Sequence, residues 1–79
     1  MTSQKAIATR TSKLMLQQNI SQYELAKRMG VDKNTVKHIL KNQYKSIKLD
    51  TVFKLAQAFN MSLIAFLDDE LFDFSNIDF

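Results

Sequence analysis

The segment from Lys33 to Lys41 carries several side chains that donate hydrogen bonds, and helical spacing puts them on one face. An asparagine there can pair with N6 and N7 of adenine, and a lysine can donate to O6 and N7 of guanine. No acid shares this face. We therefore predict contacts with base edges in the major groove of DNA. The predicted base-contacting residues are Lys33, Asn34, Thr35, Lys37 and His38.

Several of these side chains also have a simpler interpretation. The lysines could only hydrate the helix, His38 could be an inert surface residue, and Thr35 could bond its own backbone instead of offering its methyl group to thymine. His38 is the sole histidine and the chain has no cysteine, whereas a zinc site needs three or four such ligands. No serine has a histidine partner in a catalytic motif. We expect no enzymatic activity, no metal and no cofactor.

Two short helices joined by a tight turn would hold this face at a fixed angle. Ser21 is a good N-cap for the first of them, and Glu24 three residues later completes a capping box. Ile20 and Leu25 have the spacing of a hydrophobic staple across that cap. Gly30, the only glycine, stands where a helix commonly ends in the left-handed conformation.

The second of these two helices is predicted to begin after Asp32, which is its N-cap. Val31 and Val36 repeat the staple spacing. Val36, Ile39 and Leu40 recur on the inner face of this helix. The outer face is therefore left to the hydrogen-bonding side chains named above.

Length and charge set further limits. The 79 residues suffice for one small domain, which buries about 60–65% of the surface that its unfolded chain exposes. Residues 1–67, the predicted helix-turn-helix domain, carry all 11 Lys and Arg against three acids, a net charge of +8. Residues 68–79, an acidic and aromatic tail, carry five acids and no base, a net charge of −5. The basic part suggests a polyanionic partner.

The sequence shows no pattern typical of a membrane-spanning helix or a signal peptide. No apolar run approaches the roughly 18 residues that a membrane-spanning helix needs. The start of the sequence lacks the apolar region of a signal peptide. We therefore expect no membrane association and a cytoplasmic location.

Three further helices complete the predicted fold. The first spans residues 4–18, with Arg10 outside its apolar stripe. The fourth spans residues 49–59 and is followed by Asn60, which tolerates the left-handed conformation, and a short fifth helix begins after Ser62. The residues predicted to be buried in the fourth helix are Leu49, Val52, Phe53, Ala56 and Phe59. Five helices with short connections predict a compact all-α bundle.

Two stretches, ISQYELAKRMGVDKNTVKHILKN and LDTVFKLAQAFNMSLIAFL, resemble the Xre family of phage-repressor helix-turn-helix proteins, over about residues 5–67. The resemblance implies a lambda-repressor-like fold and a transcriptional regulator, usually a repressor, in a phage or other mobile-element setting. It also implies sequence-specific binding of double-stranded DNA by a homodimer, with helix 33–41 in the major groove. The phosphate contacts that it implies are Ser21, Gln22, Lys41, Asn42, Gln43, Tyr44 and Lys45.

The chain departs from the family's pattern at three places. Leu40 stands where the family has a glutamate that pairs with an arginine of the first helix. The expected opposite residue is Met15, so an apolar contact would replace the ion pair. Asn42 replaces the usual glycine at the end of the helix. Ile64 and Ala65 replace polar or acidic residues, which suggests extra covered surface.

The tail, DDELFDFSNIDF at residues 68–79, allows three interpretations. Its apolar side chains could pack on the rest of the domain over Ile64 and Ala65. They could instead stabilise a two-fold dimer. They could also dock another protein or cover the basic face. Protein docking supports an alternative function, an antitoxin-like protein-binding module on the same fold.

Overall fold

The computed structural model describes residues 1–78. Its helices are α1 (Ser3–Gln18), α2 (Gln22–Met29), α3 (Lys33–Leu40), α4 (Leu49–Ala58) and α5 (Leu63–Leu67). Two 3-10 turns, Glu70–Phe72 and Phe74–Asn76, follow α5. Residues 1–78 contain no β-strand, and the predicted all-α, five-helix fold is confirmed. Across that range, no helix combines the length and the apolar character that crossing a bilayer requires.

The two central helices begin and end where the sequence predicts. The hydroxyl of Ser21 accepts a hydrogen bond from the Glu24 N–H at 3.1 Å, and the carboxylate of Asp32 accepts one from the Asn34 N–H at 2.8 Å. Gly30 closes α2 at φ 71° and ψ 32°, a conformation that glycine adopts without a steric cost. The carboxylate of Glu24 bonds an arginine of the next turn, so the reciprocal half of the capping box does not form in the described structure.

The core lies between the inner faces of all five helices. Val36 and Ile39 enter it from α3, and Leu25 and Met29 enter it from α2, so the two helices pack on each other and on the rest of the domain. This packing sets the orientation of α3. The largest fully buried side chains are Phe59, Phe66, Leu25, Ile39, Leu55, Val36 and Thr11.

Two residues of α4 contradict the sequence prediction. Leu49 and Phe53 are 61% and 50% exposed instead of buried. The buried stripe runs through Val52, Leu55 and Ala56 and continues to Phe59. At 100° per residue this stripe leaves positions 49 and 53 on its flank. The predictions that Leu49 and Phe53 are buried are therefore wrong, whereas Phe59 is buried as predicted.

Arg10 is buried, although the sequence placed it outside the apolar stripe of α1. Its Nε donates to the Phe66 carbonyl at 2.8 Å and its Nη2 donates to the Ala65 carbonyl at 3.0 Å. Its Nη1 lies 3.3 Å from the carboxylate of Asp69. These partners satisfy a guanidinium that would otherwise be costly to bury. The two carbonyls belong to the last turn of α5, where a cation is favourable.

Residues 68–78 fold back along α1. Asp69 binds Lys13 at 2.9 Å as well as Arg10, and it accepts a hydrogen bond from the Leu71 N–H at 3.0 Å. The Phe72 ring packs on the core with its centroid 6.3 Å from that of Phe66. The tail thus lies on α1 and not over Ile64, which is 81% exposed, so the interpretation that the tail covers Ile64 is wrong. Phe79 falls outside the described residues.

Candidate nucleic-acid interface

The outer face of α3 presents the side chains that the sequence assigns to base contacts. Val36 and Ile39 are turned inward, so the residues on the other side of the helix face solvent. By the outer face of α3 we mean Lys33, Asn34, Thr35, Lys37 and His38, of which all but Thr35 are exposed. Thr35 is half-buried, and it borders a depression of about 280 Å³ between α3 and the residues that lead into α4.

The residues assigned to phosphate contacts lie at the start of α2 and in the segment after α3. Ser21 uses its oxygen to cap α2, and its hydroxyl proton can still be donated. Gln22 lies with Met15 and Leu40 at a depression of about 380 Å³, where the expected apolar pair of Met15 and Leu40 packs against the core. The remaining members are exposed, and they are Lys41, Asn42, Gln43, Tyr44 and Lys45.

A tight turn ends α3. Asn42 adopts φ 57°, the left-handed conformation expected where the family carries glycine. Its N–H donates to the Ile39 carbonyl at 3.1 Å, and the Gln43 N–H donates to the His38 carbonyl at 3.0 Å. This pair of bonds is a Schellman motif. The turn therefore fixes the direction in which the next residues leave the helix.

Two contacts beside this turn were missed by sequence reasoning. The rings of His38 and Tyr44 meet edge to face, with centroids 5.8 Å apart and planes at 80°. The Gln4 side-chain amide donates to the Lys45 carbonyl at 2.7 Å, so the first turn of α1 supports the loop. The spacing of six residues between His38 and Tyr44 across a helix end is a usable signal. The contact of Gln4 joins residues 41 positions apart, and no local pattern announces it.

The positive charge of this surface is uncompensated. In the part of the chain that the structure describes, the ion pairs join Met1 to Asp78, Arg10 and Lys13 to Asp69, and Arg28 to Glu24. None of them uses a lysine of α3 or of the loop that follows it. The surface is therefore suited to a polyanion. Among residues 1–78, no three His, Cys, Asp or Glu side chains are grouped as metal ligands.

Comparison with known families agrees with this geometry. The helix-turn-helix family model HTH_3, which covers Xre and lambda-repressor-like proteins, matches residues 12–66. The chain belongs to this family. Comparisons with curated proteins and with solved structures give no match.

Membership gives this helix-turn-helix protein its general role, that of a DNA-binding regulator, in a family whose members are typically not enzymes. The matched range begins within α1 and contains α2, α3 and α4 whole. It ends within α5, so residues 67–78 lie beyond it. The helix-turn-helix itself is α2 and α3 with Gly30 between them.

Proposed function

We propose that this helix-turn-helix protein binds a specific double-stranded DNA site as a homodimer and represses transcription by occupying that site. The observation that carries the proposal is the outer face of α3. It is exposed, it carries no acid, and it stands on a helix whose opposite face is packed into the core. A helix held in this way can enter the major groove with its side chains already directed at base edges.

The proposed base contacts follow from the chemistry of each side chain. Asn34 pairs with adenine, and Lys33 and Lys37 donate to guanine. Thr35 and His38 contribute at the edges of the same face. Each good bidentate pair discriminates by about 1–3 kcal/mol against the wrong base. The outer face of α3 thus offers enough hydrogen bonds to select a half-site.

The proposed phosphate contacts surround this face. Ser21 and Gln22 donate from the start of α2, and Lys41 to Lys45 donate from the segment after α3. Such contacts orient the protein on the duplex and carry no sequence information of their own. Each lysine that neutralises a phosphate steepens the dependence of log K on log salt by about one unit.

The proposed dimer is supported by an apolar surface on α4 and α5. A groove of about 620 Å³ between them is lined by Phe53, Met61 and Leu63, among others. Ile64 and Leu67, one turn apart on α5, are 81% and 37% exposed. Since exposed apolar surface of this kind favours association, a second copy is the proposed occupant. Two copies would then read half-sites about 34–36 Å apart.

In vitro selection of bound duplexes tests the proposed readout. We expect wild-type protein to select a palindrome, and N34A to lose about 1–3 kcal/mol of discrimination at one base pair per half-site. K41A should weaken binding evenly across sequences and lower the salt slope by about one unit. K54A, which removes the same charge from an exposed position of α4, is the matched control. Binding without sequence preference or salt dependence would contradict the proposal.

Sedimentation of the free protein and of its complex tests the proposed dimer. I64D should give a monomer that binds one half-site, because a carboxylate would be buried at the interface. L16D is the matched control for the free protein, since Leu16 is 84% exposed on α1 and does not line the groove between α4 and α5. Equal dimerisation by both variants would contradict the assignment of this surface.

The antitoxin-like alternative has to be compatible with the contact between residues 68–78 and α1. Asp69 and Phe72 already contact α1 and the core. A partner protein that docks through Asp69 or Phe72 would have to replace those contacts, and this alternative stays a prediction.

A further inference from the structure

We infer that Tyr44 is a positioning residue that sets the base preference of His38 through its aromatic ring. The inference rests on the proposed function and adds a determinant of specificity outside α3. It starts from the edge-to-face contact of the two rings, whose centroids lie 5.8 Å apart with planes at 80°. The edge-to-face arrangement is one of the two that are favourable for an aromatic pair.

Tyr44 is held on both sides along the chain. On one side, the Schellman motif at Asn42 fixes the direction of the turn. On the other, the Lys45 carbonyl accepts the 2.7 Å hydrogen bond from Gln4 of α1. The tyrosine also borders the depression that contains Ile39 and Ile47, and it is 37% exposed. Its ring is therefore anchored where the loop meets α3.

His38 has no such support from its own helix, since it lies on the exposed side of α3. An exposed imidazole can turn about its side-chain torsions and present either nitrogen to a base. A ring contact on one side restricts those torsions before DNA arrives, which lowers the entropy lost on binding. Tyr44 thus restricts the direction in which the His38 ring meets the groove.

The ring and the hydroxyl of Tyr44 then have separate roles. The hydroxyl is the group proposed above to donate to a phosphate, which would affect all sequences alike. The ring acts only through His38, and would affect only the base pair that His38 reads. Phenylalanine keeps the ring and removes the hydroxyl, whereas alanine removes both. The two substitutions therefore separate the two roles.

In vitro selection with wild type, Y44F, Y44A, H38A and the Y44A/H38A double variant tests this inference. H38A identifies the base pair that His38 reads. At that base pair we expect Y44A to lower the preference by about two- to tenfold, the factor that corresponds to an aromatic pair. Y44F should retain the wild-type preference there, even if its overall affinity falls. The double variant should match H38A, because the ring has no separate target.

A second measurement uses the DNA-free protein. The ring-proton NMR shifts of His38 should change in Y44A and stay near their wild-type values in Y44F, since only the former loses the neighbouring ring. Circular dichroism of each variant checks that the helices remain. Unchanged His38 shifts in Y44A would overturn the inference, whatever the DNA results.

The selection experiments on DNA also distinguish the role of the ring from its alternatives. An unchanged preference in Y44A, or a Y44A effect that persists undiminished with H38A, would overturn the role of the ring. A loss of preference in Y44F would transfer the effect to the hydroxyl and would also overturn it. A wild-type protein that selects no sequence would refute the proposed function, and this inference with it. That result can be distinguished from one in which the wild-type protein selects a sequence and Y44A keeps the same base preference.

Discussion

The central corner, residues 20–42, and the tail contact, in which residues 68–78 meet α1, are stabilised in opposite ways. In the corner, the hydrogen bonds of the helix caps join residues two or three positions apart, for example the Asn34 N–H and the Asp32 carboxylate. In the tail contact, the bonds of Arg10 and Lys13 join residues 55 to 59 positions apart. Contacts over a few residues can be identified in a sequence, whereas contacts over half a chain depend on packing.

The two regions also use charge differently. In the tail contact, Asp69 binds both the buried Arg10 and the partly exposed Lys13, so one carboxylate offsets part of the charge of two cations of α1. At the corner, the lysines of α3 take part in none of the ion pairs of residues 1–78. Asp69 of the tail therefore stabilises the fold, whereas Lys33, Lys37, Lys41 and Lys45 of the proposed DNA surface take part in none of these ion pairs.

Removing the arginine of the tail contact should have the largest effect on stability. R10M leaves the carbonyls of Ala65 and Phe66 and the carboxylate of Asp69 without this partner. We expect the free energy of unfolding to fall by about 3 kcal/mol, since one member of a buried pair is removed. Urea denaturation measures this loss.

K13A is the control, because Lys13 contacts the same carboxylate oxygen but its side chain is 46% exposed. This substitution should lower the free energy of unfolding by less than about 1 kcal/mol. Equal losses would contradict the role of burial.

Replacing the glycine of the corner should have the next largest effect. Gly30 has φ 71°, and a Cβ there would meet nothing within 4 Å, so G30A strains only the backbone. We expect the free energy of unfolding, measured by urea denaturation, to fall by about 1–2 kcal/mol, which is the cost of the left-handed conformation for a residue with a Cβ. N42G makes the reverse change at another left-handed residue. It should therefore cause no loss, and a loss as large as that of G30A would argue against backbone strain as the cause.

Removing a helix cap of the corner should cost less. S21A deletes the oxygen that accepts the Glu24 N–H. We expect the free energy of unfolding to fall by about 1 kcal/mol. Thermal unfolding gives the comparison with S12A, which alters an exposed serine inside α1. That control should be neutral or slightly stabilising, because alanine favours the helix interior.

Titration of Asp69 should give an effect that changes gradually with pH, and D69N tests it because the amide removes the charge and keeps an oxygen for the Leu71 N–H. The hydrogen bond from Leu71 and the ammonium of Lys13 lower the pKa of Asp69 from its ordinary value of 3.8. The pKa of Asp69 is therefore lower in the folded state than in the unfolded state. The carboxylate stabilises the folded protein fully above the unfolded-state pKa, and this stabilisation is lost as the pH falls through the folded-state pKa.

Urea midpoints of wild type and D69N should therefore differ most near neutral pH and converge below about pH 4. The profile of S12A, which changes no ionisable group, gives the baseline. A difference between wild type and D69N that stays constant down to about pH 2 would show that the charge of Asp69 does not stabilise the fold.

Most of the fold and of the candidate interface could be predicted from short-range patterns. The caps at Ser21 and Asp32, the left-handed Gly30 and the inward Val36 and Ile39 all follow from spacing, and the structure has them. The failures have one cause in common. Phe53 and Arg10 were placed by polarity and periodicity, but their burial depends on which neighbours the tertiary structure brings to them.

The sequence by itself determined the corner, because caps, a glycine turn and an apolar stripe act within a few residues and restrict the local backbone conformation directly. It also determined which face of α3 is polar. Only the tertiary structure decided that Arg10 caps α5, that Asp69 joins the tail to α1, and that the Gln4 amide supports the loop beside Tyr44. Such contacts are decided by the packed helices, since only packing brings residues distant in the chain to within a hydrogen bond.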